Sequence, residues 1–305
     1  MPEFAFFIFI FIVSNIGGSL TPLGEPPLLL GFLNGVSFLS TLQHLLPETL
    51  FTLSTLLALF YGLGHSWYRR AGVLPRDLTP DTPHFGLDGA INLVPLAAVI
   101  GLVQMSATWK PDLSWPMLGT EVEAQNLLRD LLLVVMTTVS LWITPCAVRQ
   151  AQSFDWGPMQ EVAKLFIGIF ITMLPVLAML KAGEQGAFGA VVRAVTAPDG
   201  QPLPWAYFWF AGVLLSFLDN AATFLVFSNL AGGDPAQWMG PLATTLAAIS
   251  AGSVFMGANR HSGNAPNFMV KAVVEDRGLN MPGFVGDMAW STVVLLPLFV
   301  VVTFI

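Results

Sequence analysis

The sequence predicts an all-α polytopic membrane protein whose crossing helices are broken in two places. Three observations predict it. Of the 305 residues, 54% are hydrophobic and only 10% are charged, whereas a soluble domain carries about 25% charged residues. Apolar runs approaching the roughly 20 residues that cross a bilayer recur along the chain. Two of these runs are interrupted by stretches rich in Gly, Pro and Asn that look alike, SNIGGSLTPLGEPP at residues 14–27 and GANRHSGNAPN at residues 257–267. A break in a membrane-buried helix frees backbone groups that lipid cannot satisfy, so it is tolerated only where protein or a water-filled cavity meets them. Two such segments in corresponding positions of two halves are the strongest sequence pointer to a secondary transporter's binding site.

The elements follow in order along one transmembrane domain, residues 1–305. Residues 1–46 hold the first broken span, apolar from Phe4 and unwound over 14–27. Its start lacks a basic region and carries Glu3, so it reads as the first arm of the broken helix, not as a cleavable signal. Residues 48–181 carry the scaffold-type spans. One covers 48–64 and is followed by Trp67, Tyr68, Arg69 and Arg70; a loop rich in Pro and Asp then runs to Asp88. The next spans cover 89–108 and 127–148, separated by a loop with Lys110, Trp115 and Glu121. Residues 150–164 read as interfacial, and a fifth span follows to Lys181. Residues 205–232 are apolar but cut in the middle by Ser216-Phe217-Leu218-Asp219-Asn220. Each arm has only about 11–13 residues, which suits a re-entrant hairpin better than a full span. The second broken crossing is 239–274, and the last span is 284–305.

Basic residues near span ends set the orientation. Arg69, Arg70 and Arg76, then Arg149 and Lys164, then Lys271 and Arg277 fall in loops that alternate to share one side, the cytoplasm. The opposite loops hold only Lys110, Lys181 and Arg193. Met1 then starts inside and Ile305 ends outside. Trp67, Trp109, Trp205 and Trp238 fall near span ends, as an aromatic belt requires. The net charge of −7 is scattered through loops, and no basic cluster points to nucleic acid. A lone Cys146 excludes an internal disulfide and any cysteine-based metal site. No His pair has metal-ligand spacing and no Ser/His/Asp set stands out, so the chain reads as a transporter, not an enzyme, with the lipid bilayer as its partner and no cofactor.

The two breaks and the hairpin tip hold the candidate site. In the first break, Gly17, Gly18 and Gly24 permit unusual backbone, and Ser14, Asn15 and Thr21 supply neutral oxygens suited to sodium. Carbonyls ending one half-helix coordinate small cations, and amides starting the next hold anions. The alternative is an ordinary loop or a packing kink. Glu25 lies inside this break, where a carboxylate at membrane depth is a functional candidate for proton exchange; alternatively it caps a half-helix at the wet end. Asp219 sits at the hairpin tip with Asn220 beside it and Thr223 one turn on. It reads as an ion ligand, as a helix N-cap, or as both. The second break mirrors the first with Asn259, Ser262, Asn264 and Asn267 among Gly257, Gly263 and Pro266. Arg260 and His261 are candidates for an anionic substrate, and His261 also for proton sensing.

These residues carry a family resemblance. Residues 14–27 followed by LLLGFL, together with Leu218-Asp219-Asn220-Ala221-Ala222-Thr223 and Gly263-Asn264-Ala265-Pro266-Asn267-Phe268-Met269, resemble the ion transporter superfamily. The branch is that of the D-type bacterial sodium/proton antiporters, also grouped as citrate transporters. The resemblance runs from the first residues to Ile305. It implies an elevator-type transporter of two inverted repeats, each giving a re-entrant hairpin and a broken helix to a transport domain, while the scaffold forms a homodimer. The family has a hairpin and scaffold helices ahead of the first broken helix, so the first repeat here reads as incomplete. Branch members carry uncharged or aromatic residues where Arg260-His261-Ser262 stands.

The expected function is secondary transport in the bacterial inner membrane, with sodium/proton antiport first. Sodium would sit among the oxygens of the two breaks, and Asp219, with Glu25, would alternate between sodium and protons. One alternative is cation-coupled transport of citrate or another di- or tricarboxylate, with Arg260 and half-helix N-termini holding the carboxylates. Another is an inactive fragment or a partner subunit that needs a second chain.

Overall fold

The computed structural model describes residues 2–71, 89–117, 120–151, 155–215, 219–232, 234–259, 267, 270–271, 274–275 and 283–305. Helix makes up 77% of it, which bears out the all-α membrane class. Two compact units form, Met1–Val73 with Gly157–Ile305, and Leu74–Trp156.

In the larger unit, α1 (Pro2–Ile12) runs into a turn and then a short 3-10 helix, Ile16–Leu20. The chain resumes as α2 (Pro26–Leu33), started by two prolines whose fixed φ suits the first helical turn. The first break therefore lies between two α-helical arms. The sequence reading places its second arm as far as residue 46 and starts a new span at 48. The structure instead ends α2 at Leu33 and runs one helix, α3 (Ser40–Ala71), straight through Pro47. A proline inside a membrane helix removes one backbone donor, and neighbouring groups or local adjustments absorb the loss.

Thr41, Leu45, Thr49, Thr52 and Leu56 are buried and spaced three or four apart, so they share one face of α3. That face meets the first break. Thr41 donates to the Leu20 carbonyl at 3.1 Å, and the Ser19 and Thr49 hydroxyls lie 2.7 Å apart. Ser19 gives its proton to the Ile16 carbonyl, which makes Thr49 the donor between them.

Farther along come α7 (Gly157–Lys181), α8 (Gly189–Val195), then α9 (Pro204–Leu215) and α10 (Asn220–Leu230). At 1.5 Å per residue, α9 and α10 are about 18 and 16 Å long, short of a bilayer core of about 30 Å. Residues 216–218 between them, the centre of the expected hairpin tip, lie outside the described residues. After α11 (Pro235–Trp238), α12 (Ala243–Phe255) passes into a second 3-10 turn, Met256–Asn259. The described residues from Asn267 to Glu275 are helical again. A C-terminal helix, Phe284–Val302, closes the unit.

Packing between α9 and α12 is close because of glycine. A Cβ at Gly252 would lie 2.5 Å from the Phe208 carbonyl oxygen, so only a hydrogen fits there. The C-terminal helix joins through an edge-on contact of Phe208 with Phe299 and through Trp209, which donates to Thr303 at 3.1 Å.

In the smaller unit, α4 (Leu93–Thr108) and α5 (Ala124–Ile143) flank an antiparallel hairpin, β1 (Ser114–Met117) with β2 (Thr120–Glu123). The loop expected from the sequence is thus partly a two-stranded ribbon. α5 stops at Ile143 because the residue before Pro145 is held extended, and α6 (Cys146–Ala151) begins after it. Arg129, buried, is paired with Asp130 at 2.8 Å and donates to Asn126 and Ser106. Asn92 accepts from Ser140 and Thr144, which ties the start of α4 to the end of α5.

Among the described residues three helical segments are long and apolar enough to cross a membrane: Ser40–Arg70, Ala90–Thr108 and Ala124–Ile143. Shorter apolar helices include Phe6–Leu20, Pro204–Leu215 and Met288–Val302.

Candidate functional site

The first break and the hairpin arm α10 meet at Glu25. Glu25 is 2% exposed, and the Asn220 side-chain amide donates to its Oε2 at 2.9 Å. These residues are 195 positions apart in the chain. The fold brings them together through α2, which starts just after Glu25, and α10, which starts at Asn220 and packs along α2. Asp219 occupies the N-cap of α10 in extended conformation, and its side chain accepts from the Ala221 N–H at 3.0 Å. Thr223 donates to the Asp219 carbonyl at 2.9 Å and so closes the first turn. The cap reading of Asp219 holds, and it is compatible with an ion-binding role.

Backbone shape makes room for Glu25. A Cβ at Gly18 would lie 2.8 Å from Glu25 Cγ, and a Cβ at Gly24 would lie 2.2 Å from the Gly18 carbonyl oxygen. Gly18 and Gly24 thus press backbone against backbone, and the loop folds tightly over the carboxylate.

The donors expected at the start of α2 are missing. Pro26 and Pro27 carry no N–H, and the N–H groups of Leu28 and Leu29 both donate to the Glu25 carbonyl. A helix N-terminus attracts anions through free N–H groups, and this one offers none in its first turn. The sequence expectation that amides after the first break hold an anion is corrected on that ground. No Lys, Arg or His occurs in α2, α9, α10, α12 or the 3-10 turn of either break. The described site is therefore acidic and rich in oxygen. The Oδ1 atoms of Asn220 and Asn259 and the Ser253 hydroxyl are buried without a hydrogen-bond partner. A buried polar atom left this way costs about 1–3 kcal/mol, which a bound cation or proton donor would offset.

The second meeting point joins the two breaks. Asn15 is fully buried and donates to the Ile10 carbonyl and to Asn267 Oδ1, both at 2.8 Å. Asn267, also fully buried, donates to the Gly257 carbonyl at 2.9 Å.

The remaining sequence candidates fall as follows. Ser14 is buried, Gly18 is partly buried, and Gly17 and Thr21 are exposed. Asn259 is partly buried, and its carbonyl accepts from Ser291. Arg260, His261 and Asn264 lie outside the described residues. No cluster of three or more His, Cys, Asp or Glu side chains able to hold a metal ion occurs among the described residues. A cation here would be held mainly by carbonyl, amide and hydroxyl oxygens, as a weakly bound transported ion requires.

Asn267, one of the polar residues read in the second break, gains a place through its contact with Asn15. One residue escaped the sequence reading. Glu48 is the one acidic residue on α3, and its Oε2 is buried without a partner. A single carboxylate within an apolar span was the available signal. Near α2, α10 and α12 lies a half-open cleft of about 20 Å³, lined by residues including Leu28, Thr41, His44, Phe224, Leu246 and Ser250. Its walls are mainly apolar, so it does not suit a tricarboxylate.

Long apolar helices beside shorter ones that stop at a break define a helical membrane protein. A family described as "Putative citrate transport" matches residues 3–305, and the chain belongs to that family. No curated protein and no solved structure matches the chain.

Proposed function

We propose that the chain is a cation-coupled carrier that moves citrate or another di- or tricarboxylate across the bacterial inner membrane. Membership of the citrate-transport family supports the substrate class. The observation that carries the coupling is the buried Glu25–Asn220 contact, which joins the first break to the hairpin arm. In this reading Glu25, Asp219 and the unpartnered Asn220 oxygen supply ligands for a monovalent cation. Ser14, Gly17, Gly18, Thr21 and Asn259 belong to the surrounding backbone and oxygen supply. In this reading the cation neutralises the carboxylates, and the neutral site then accepts an anionic substrate that bare Glu25 and Asp219 would repel. Arg260, His261 and Asn264 are the candidates for the substrate carboxylates. Alternating access would follow an elevator movement of two inverted repeats, with a homodimeric scaffold.

Purified protein in liposomes, given labelled citrate and an inward sodium or proton gradient, tests this. Gradient-dependent uptake, lost in Asp219→Asn, is expected. Absence of uptake under either gradient would overturn the carboxylate reading. One observation favours a second reading, sodium/proton antiport: the described site offers acids and neutral oxygens and no cationic side chain. Under that reading sodium or lithium alone dissipates a pH gradient, with no need for citrate.

A further inference from the structure

Asn15 and Asn267 form a continuous hydrogen-bonded chain between the two breaks. It runs from the Gly257 carbonyl through the Asn267 amide to the Asn15 amide and on to the Ile10 carbonyl. Each end is a carbonyl close to where a helix stops. Ile10 belongs to the last turn of α1, whose final carbonyls have no helical donor, and Gly257 lies in the 3-10 turn that ends α12. Both amides are fully buried. The space is also tight, because a Cβ on Gly257 would lie 2.7 Å from Asn15 Oδ1. The end of α1 and the turn after α12 therefore cannot shift by an ångström relative to each other without rupturing a buried hydrogen bond.

We infer that the Asn15–Asn267 pair is a positioning device that couples the two breaks, so that whatever orders one break orders the other. The carbonyls at the ends of this chain flank the segments where a cation and a carboxylate would sit. Ordering of the first break by a cation is then transmitted to the second through two amides. This role rests on the reading of the breaks as the ligand-holding parts of a carrier, but its test does not need transport.

The test is hydrogen–deuterium exchange on the purified full-length protein, comparing peptides over the first break (residues 13–25) with peptides over the end of α12 and its turn (residues 250–259). Asn15→Ala is expected to raise exchange roughly tenfold in both peptides, the scale set by loss of one buried hydrogen bond. Asn267→Ala should do the same, and the double variant should match either single one. Exchange in α5 should stay unchanged. Changes confined to the mutated break, or effects that multiply in the double variant, would overturn the coupling. Should an alanine variant not yield folded protein, Gly257→Ala disturbs the contact while keeping both amides. It should raise exchange in the first-break peptide, 232 or more positions away in sequence, and no change there would overturn the proposal. Sodium added to wild type should protect both peptides together and, in Asn267→Ala, the first alone. Equal protection of both in the variant would count against the amide route. Loss of citrate uptake in wild type would strike the substrate reading and leave these exchange outcomes to judge the pair.

Discussion

Asn220 makes a different contact with each end of its amide. Its nitrogen binds a buried carboxylate, and its oxygen has no partner. A hydrogen bond contributes about 0.5–1.5 kcal/mol net, and removal of one side leaves the other buried and unsatisfied at a cost of about 1–3 kcal/mol. Asn220→Ala is therefore expected to destabilise the protein by about 2 kcal/mol and to abolish gradient-driven uptake. Thermal denaturation in detergent, together with liposome uptake, checks both; stability within about 0.5 kcal/mol of wild type would show that the contact contributes little. Glu25, Asp219 and Asn220 were legible in the sequence because an acid in an apolar run is costly and stands out. Asn15 was legible only as a polar residue in a break. Its amide turns out to serve Ile10 and Asn267, and no one-dimensional pattern reports a partner 252 positions away.

At the scale of elements, Gly, Pro and Asn density located the first break and the turn that ends α12, because these residues disfavour continuous helix for reasons that act locally. The continuity of α3 through Pro47 was not legible, since packing overrides a proline that local rules treat as a boundary. Nor was the β1–β2 ribbon, whose strands have four residues each and include Pro116. Glycines divide in the same way into those that packing needs and those it does not. Gly252 faces the Phe208 carbonyl at the α9–α12 contact, whereas a methyl group on Gly62 in α3 would have nothing within 4 Å of it. Gly252→Ala should cost about 1–3 kcal/mol through overpacking. Gly62→Ala should be neutral or stabilising by up to about 1 kcal/mol, because alanine favours helix. Parallel melting curves of the two variants decide this, and equal effects would show that α9 and α12 do not pack as closely as described.

For the whole molecule, composition alone gave the membrane class, and the motifs gave the citrate-transport grouping that the match over residues 3–305 bears out. Substrate choice was not legible, because acids and neutral oxygens suit a cation while Arg260 and His261 suit an anionic substrate, and the sequence carries both. Sidedness, in contrast, is set by charge along the entire chain, and the protein supplies its own reporter. Cys146 is the lone cysteine and is exposed, three residues before Arg149 and just past the Pro145 that ends α5. Basic residues near span ends are retained in the cytoplasm, so Cys146 should face inward. A membrane-impermeant maleimide is expected to label it in everted vesicles and to leave it unlabelled in intact spheroplasts. Labelling from the outside only would invert every loop assignment. The breaks would still face each other across Asn15 and Asn267, so inversion would change which compartment first meets Glu25 and Asp219 without changing the site itself.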